Sequence, residues 1–141
     1  MTALSGRNQS VREQPLSPHL SVYKPIPTMV MSILHRITGV ALYFSAPFIV
    51  SWIVAVASGP SLFKTANGFF CSLIGQFILF IYSWTLIHHM IGGIKHLIQD
   101  TGVALGRSVS TKVARLHIPT SIALTTLVWV LSDARITGFG L

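Results

Sequence analysis

Acidic side chains are almost missing from this sequence: Glu13, Asp100 and Asp133 are the only three in 141 residues, and no two are neighbours. The paired carboxylates used in acid–base hydrolysis are therefore not supplied. Cysteine is nearly absent too. With Cys71 alone, neither an intrachain disulfide nor a thiolate cluster for a metal can form, and this residue is expected to be a small buried hydrophobe. Charge of either sign is scarce, at 9% of residues against 51% apolar, and mean hydropathy is +0.67. A water-soluble surface needs far more charge than this, whereas charge is costly in hydrocarbon. The opening residues lack the apolar core of a secretory signal, and no internal repeat is visible.

The charge that is present is mostly positive, with ten Lys and Arg giving a formal net charge of +7. These residues lie mostly outside the apolar runs and form no basic stripe interleaved with aromatics, so nucleic acid is not the expected partner. Membrane topology and anionic lipid account for them better. Residues 1–28 are polar and punctuated by Pro15, Pro18, Pro25 and Pro27, which predicts an irregular segment on the membrane surface. Uncharged stretches then run from Ile37 to Phe63, Thr65 to Ile94 and Leu116 to Ser132. Each is long enough to cross a core of about 30 Å, and a spanning backbone must satisfy its own hydrogen bonds. The expected fold is an all-α membrane protein with three transmembrane helices, at about 29–57, 66–98 and 115–134. Together they form one anchor unit (29–135), and a short tail (136–141) follows. Pro47 is expected to kink the first helix, and "ASGPS" (57–61) marks the first turn. Arg7, Arg12 and Lys24 precede the first span, and Arg107, Lys112 and Arg115 follow the second, whereas the intervening loop holds only Lys64. The positive-inside rule then puts the amino terminus on the cytoplasmic or matrix side.

Polar residues inside the spans need a reason, because they usually face a cavity, a cofactor or a partner. In "LIHHMIGGIKHLIQD" (86–100), His89 and His96 are seven apart, two turns and about 10.5 Å along one helix face. His88 is rotated by about 100°. Gly92 and Gly93 lie between the two histidines and would let a neighbouring helix or a flat cofactor approach. A haem suits this pattern, with an axial imidazole on the iron and the basic end, Lys95 and His96, near a propionate. The alternative is a set of interhelical hydrogen bonds. In "SILHRITG" (32–39), Ser32 and Arg36 are stacked at i, i+4 with His35 beside them. Arg36 snorkelling to the headgroups is one account. The other is a pocket below the interface in which a hydroxyl and a guanidinium meet a quinone carbonyl oxygen.

"PLSPHLSVY" (15–23), "SILHRITG" (32–39) and the H-x6-H-L-I-x-D run from His89 to Asp100 occur in this order and spacing. Together they resemble the cytochrome b large membrane-anchor subunit of succinate dehydrogenase, respiratory complex II, from about residue 14 to the end. The resemblance implies His89 as the axial ligand of haem b, with the second ligand from a partner subunit. It puts His35, His96 and Lys95 near the propionates, and Ser32, Arg36 and Ile33 at a ubiquinone site. It implies a second small membrane-anchor subunit, an iron–sulfur subunit against which "SPHLSVY" lies, and a flavoprotein subunit. No catalytic residue for succinate is expected in this chain, which has no flavin or iron–sulfur motif. Two positions depart from the family. Gly92-Gly93-Ile94-Lys95-His96 stands where Asn-Gly-Ile-Arg-His is common, and lysine lacks the bidentate fork of arginine. Gln14 stands where arginine is common. Rival expectations are the anchor of a quinol-oxidising fumarate reductase, a small transporter or channel subunit, and a structural anchor without haem. The short segment before the first span favours a bacterial cytoplasmic membrane, with the mitochondrial inner membrane as the alternative.

Overall fold

The structure, a computed structural model, describes residues 24–138, with side chains through Asp133. The "PLSPHLSVY" segment, Gln14 and the last residues of the tail lie outside that range. Four helices follow in order: α1 (Pro27–Ala57), α2 (Pro60–Phe70), α3 (Leu73–Asp100) and α4 (Arg107–Gly138). Among the described residues there is no strand. α1, α3 and the Arg107–Asp133 part of α4 are each long and apolar enough to cross a membrane. At 1.5 Å per residue, a helix of 31 residues like α1 is about 46 Å long, more than a bilayer core requires.

Local chemistry sets the breaks. α1 begins with Pro27 at its first position, where the missing N–H costs nothing. It ends where the Ser58 N–H bonds Val54 O, and Gly59 turns the chain at φ 108°, a conformation that only glycine adopts readily. Pro60 then opens α2. The second apolar stretch, expected as one span from about residue 66, is divided. α2 stops at Phe70, and Ser72 caps α3 by accepting a hydrogen bond from the Gly75 N–H at 3.1 Å. Gly75 makes the sharp corner possible, since a Cβ there would run into the Phe69 carbonyl. This corner also corrects the expectation for Cys71. The residue is exposed at the C-cap of α2 rather than buried, because the helix ends there. α4 starts ahead of the expected residue 115 and takes Arg107, Lys112 and Arg115 into its first turns. Arginine and lysine are good helix formers, so the helix continues beyond the apolar run.

The packing is inverted relative to a water-soluble bundle. Phe44, Phe48, Leu73, Phe77 and Leu116 are exposed, whereas Thr38, Thr85, His88, His117, Ser121 and Thr125 are buried. Lipid tails are as apolar as leucine, so helices associate through small and polar residues that allow close approach. Buried threonines also satisfy themselves: Thr85 Oγ1 donates to Ile81 O at 2.8 Å and Thr125 Oγ1 to Ser121 O at 2.8 Å. α3 packs against both α1 and α4, and both seams carry histidine.

Candidate functional site: histidines on two seams of one helix

Five of the six histidines meet around α3; the sixth, His19, precedes the described residues. On the α1 side, the His35 and His89 rings stack with centroids 4.0 Å apart and planes 10° apart. His96 meets His35 edge-on at 5.1 Å. Glycines on both helices make this packing possible. A Cβ at Gly39 of α1 would lie 2.9 Å from His89 Cε1, and a Cβ at Gly92 of α3 would collide with the His35 ring. Each helix thus gives up a side chain where the other inserts an imidazole. The space at Gly92 is filled by His35 of α1, so of the two glycines expected to admit a neighbour it is Gly93 that faces open space.

The tautomer of His89 follows from its partner. Nδ1 lies 3.1 Å from His35 O, and a carbonyl can only accept, so Nδ1 carries the proton. The Thr38 hydroxyl, 3.3 Å from Nδ1, sends its own hydrogen to Leu34 O or His35 O and therefore also accepts. Nε2 is left with its lone pair, and among the described residues it has no hydrogen-bond partner. This is the state a metal-ligating histidine needs: one nitrogen free, the ring oriented by a bond from the other to a backbone carbonyl. His89 is half-buried and its Nε2, unlike those of His35 and His88, is not a buried unpartnered atom, so the lone pair is open to the outside of the chain. The donor set fits one axial bond to a haem iron. It does not fit a protein-only metal site, and no cluster of three or more metal-ligating side chains exists among the described residues.

Ser32, Ile33 and Arg36 occupy the end of α1 that carries His35, level with Lys95 and His96 of the antiparallel α3. Ser32 and Lys95 are half-buried, and Ile33, Arg36 and His96 are exposed. Ser32 and Arg36 make no side-chain hydrogen bond or ion pair among the described residues. The structure thus brings His35, His89 and His96 into contact and leaves Ser32, Ile33, Arg36 and Lys95 as unengaged neighbours.

The seam between α3 and α4 joins His88 to Trp84, His117 and Ser121, which the sequence did not single out. His88 and Ser121 are 0% exposed. Trp84 Nε1 donates to Ser121 Oγ at 3.2 Å, Ser121 Oγ donates to Ile118 O at 2.8 Å, and His88 Nδ1 lies 3.2 Å from the same hydroxyl. His117 Nε2 donates to His88 O at 3.0 Å, with the two rings 4.4 Å apart. His117 stands inside an otherwise apolar run, a signal that would have marked it. His88 carried the same signal, but that the two meet across two helices did not show in the sequence. His88 Nδ1 is engaged with α4 and its Nε2 is buried without a partner, so the fully buried ring does not reach the α1 side.

Comparison with known proteins agrees with this architecture. The family model for the succinate dehydrogenase/fumarate reductase transmembrane subunit matches residues 10–132. The succinate dehydrogenase cytochrome b556 subunit of Rickettsia bellii is 32% identical over 124 residues, 88% of this chain and 97% of that protein. The subunit of the same name from Paracoccus denitrificans is 36% identical over 114 residues, 81% and 88% of the two chains. The mitochondrial succinate dehydrogenase cytochrome B subunit of Schizosaccharomyces pombe is 36% identical over 93 residues, 62% of this chain and 52% of its own length.

Proposed function

The chain belongs to the succinate dehydrogenase/fumarate reductase transmembrane subunit family, and on that premise we propose that it is the haem b-binding anchor through which a succinate:ubiquinone oxidoreductase reduces its quinone. It is an integral membrane protein of the bacterial inner membrane. The observation that carries the proposal is the state of His89: Nδ1–H tied to the His35 carbonyl, Nε2 free and accessible. His89 would be one axial ligand, and a second small anchor subunit would supply the other. His35, His96 and Lys95 would lie by the propionates. Haem held there would supply a one-electron store beside the quinone.

Electrons would reach the membrane from an iron–sulfur subunit, fed by a flavoprotein subunit that oxidises succinate. Ubiquinone takes up two electrons and two protons to become the quinol. Ser32 and Arg36 would donate hydrogen bonds to one quinone carbonyl oxygen, with Ile33 as an apolar wall. A fixed guanidinium favours the negative charge that develops on that oxygen during reduction. The exposure of Arg36, without an ion-pair partner among the described residues, supports that role for the cation. By the positive-inside rule, the basic residues that flank the first and second spans would put the amino terminus on the cytoplasmic side, where the iron–sulfur subunit would dock.

The test is the visible spectrum of the complex that co-purifies with this chain. A Soret band and a pyridine haemochrome of the b type are expected, and His89→Leu should remove the low-spin bis-histidine signal. An unchanged spectrum in that variant would overturn the assignment of the ligand. A complex with no haem at all would overturn the cytochrome reading.

A further inference from the structure

The electron path just described uses the α1 side of α3 and leaves the α4 side without a task. That side nevertheless has the most deeply buried polar cluster in the described chain: the largest fully buried side chains are His88, Thr125 and Ser121. Further along the seam Phe80 and Trp129 meet edge-on at 5.5 Å, both half-buried, and no large apolar side chain is fully buried beside His88 to fix how α3 rolls against α4 there. Ala114 is the other buried α4 residue near the cluster, while on α3 the space at the buried Gly92 is filled from the α1 side by His35. Small residues set the distance between two helices but not their rotation. Directional bonds do that, and those that join α3 to α4 here converge on His88 and Ser121.

Their arrangement is specific. The Ser121 hydroxyl hydrogen is committed to Ile118 O, so Ser121 Oγ accepts from both Trp84 Nε1 and His88 Nδ1. Trp84 and His88 are one turn apart on α3, so a single hydroxyl on α4 holds two points on the same face. His117 Nε2 donates to the His88 carbonyl, which belongs to the peptide unit joining His88 to His89. The backbone that carries His89 is therefore held directly from α4, while the His89 ring is held by His35 O from α1. His88 and His89 project about 100° apart, so locking one determines where the other points.

We propose that His88, Ser121 and His117 are positioning residues that set the roll of α3 and, through it, the plane of the His89 imidazole. The proposal rests on His89 being a haem ligand, so its test separates the two ideas. The orientation of an axial imidazole plane governs the low-spin g values of the haem, and ligand geometry tunes its potential. The assembled complex is purified with Ser121→Val, His88→Gln, His88→Asn or His117→Gln. Haem content, the low-temperature electron paramagnetic resonance spectrum, the midpoint potential and the thermal unfolding midpoint are measured for each.

Ser121→Val and His88→Gln should shift the largest g value and the midpoint potential at unchanged haem content. His88→Asn should restore both, because the asparagine amide nitrogen takes the position of Nδ1 and can still donate to Ser121. His117→Gln retains a donor and should produce the smallest shift. A lowered unfolding midpoint with g values and potential unchanged would make the cluster a helix clasp only and overturn the proposal. If the valine complex does not assemble, Ser121→Ala decides on the same readings. A wild-type complex without haem would instead sink the ligand assignment for His89.

Discussion

At the scale of single residues, the α1–α3 seam depends on two missing methyl groups. Gly39→Ala places a Cβ against the His89 ring and Gly92→Ala places one in the His35 ring. Each should cost about 1–3 kcal/mol by overpacking and lower haem content, read as the Soret absorbance per complex. Haem content at the wild-type level in both variants would show that the rings shift without consequence. Arg36→Ala should lower ubiquinone reduction by about 10²-fold or more, the loss typical of a removed charge-stabilising donor. Succinate oxidation by an artificial dye should survive, and parallel loss of both activities would place Arg36 in assembly instead. A substitution of His96 should shift the haem potential while haem is retained; complete loss of haem would mean that His96 ligates. The chemistry at this scale was largely legible in the sequence, because an imidazole or guanidinium in an apolar run is conspicuous. The protonation of His89 was not legible. It depends on the carbonyl of His35, 54 positions away, lying 3.1 Å from Nδ1.

At the scale of elements, the helices were legible from the apolar runs, and their ends less so. The uncharged stretch from Thr65 to Ile94 has no charge to mark a break, so the corner at Cys71–Ser72 is set by a cap and a close approach. Ser72→Ala removes the hydroxyl that accepts the Gly75 N–H and should cost about 1 kcal/mol, seen as a lower unfolding midpoint of the purified complex. Gly75→Ala should cost more, since it forces the Phe69 carbonyl aside. An equal effect of the two would mean that the cap, not the close approach, holds the corner. Pro47 and Pro119 lie inside α1 and α4 without ending them. Each removes one backbone donor, a loss that neighbouring helices in a membrane compensate.

For the whole molecule, the scarcity of charge decides the solvent, and the distribution of lysine and arginine predicts an orientation with the amino terminus inside. With three spans, a periplasm-dependent reporter fused after Leu141 should be active, and the same reporter inserted ahead of Lys24 should be silent. The reverse pattern would invert the anchor. The sequence by itself determined the membrane location, the three spans and the likeness to a cytochrome b anchor, because hydropathy and ordered motifs are properties of the chain read along its length. Only the tertiary structure decided which face of α3 each neighbouring histidine takes, which glycine makes room for which ring, and that α4 grips the peptide beside His89. Those outcomes depend on hydrogen bonds and close approaches between helices, and these exist only once the three spans have packed.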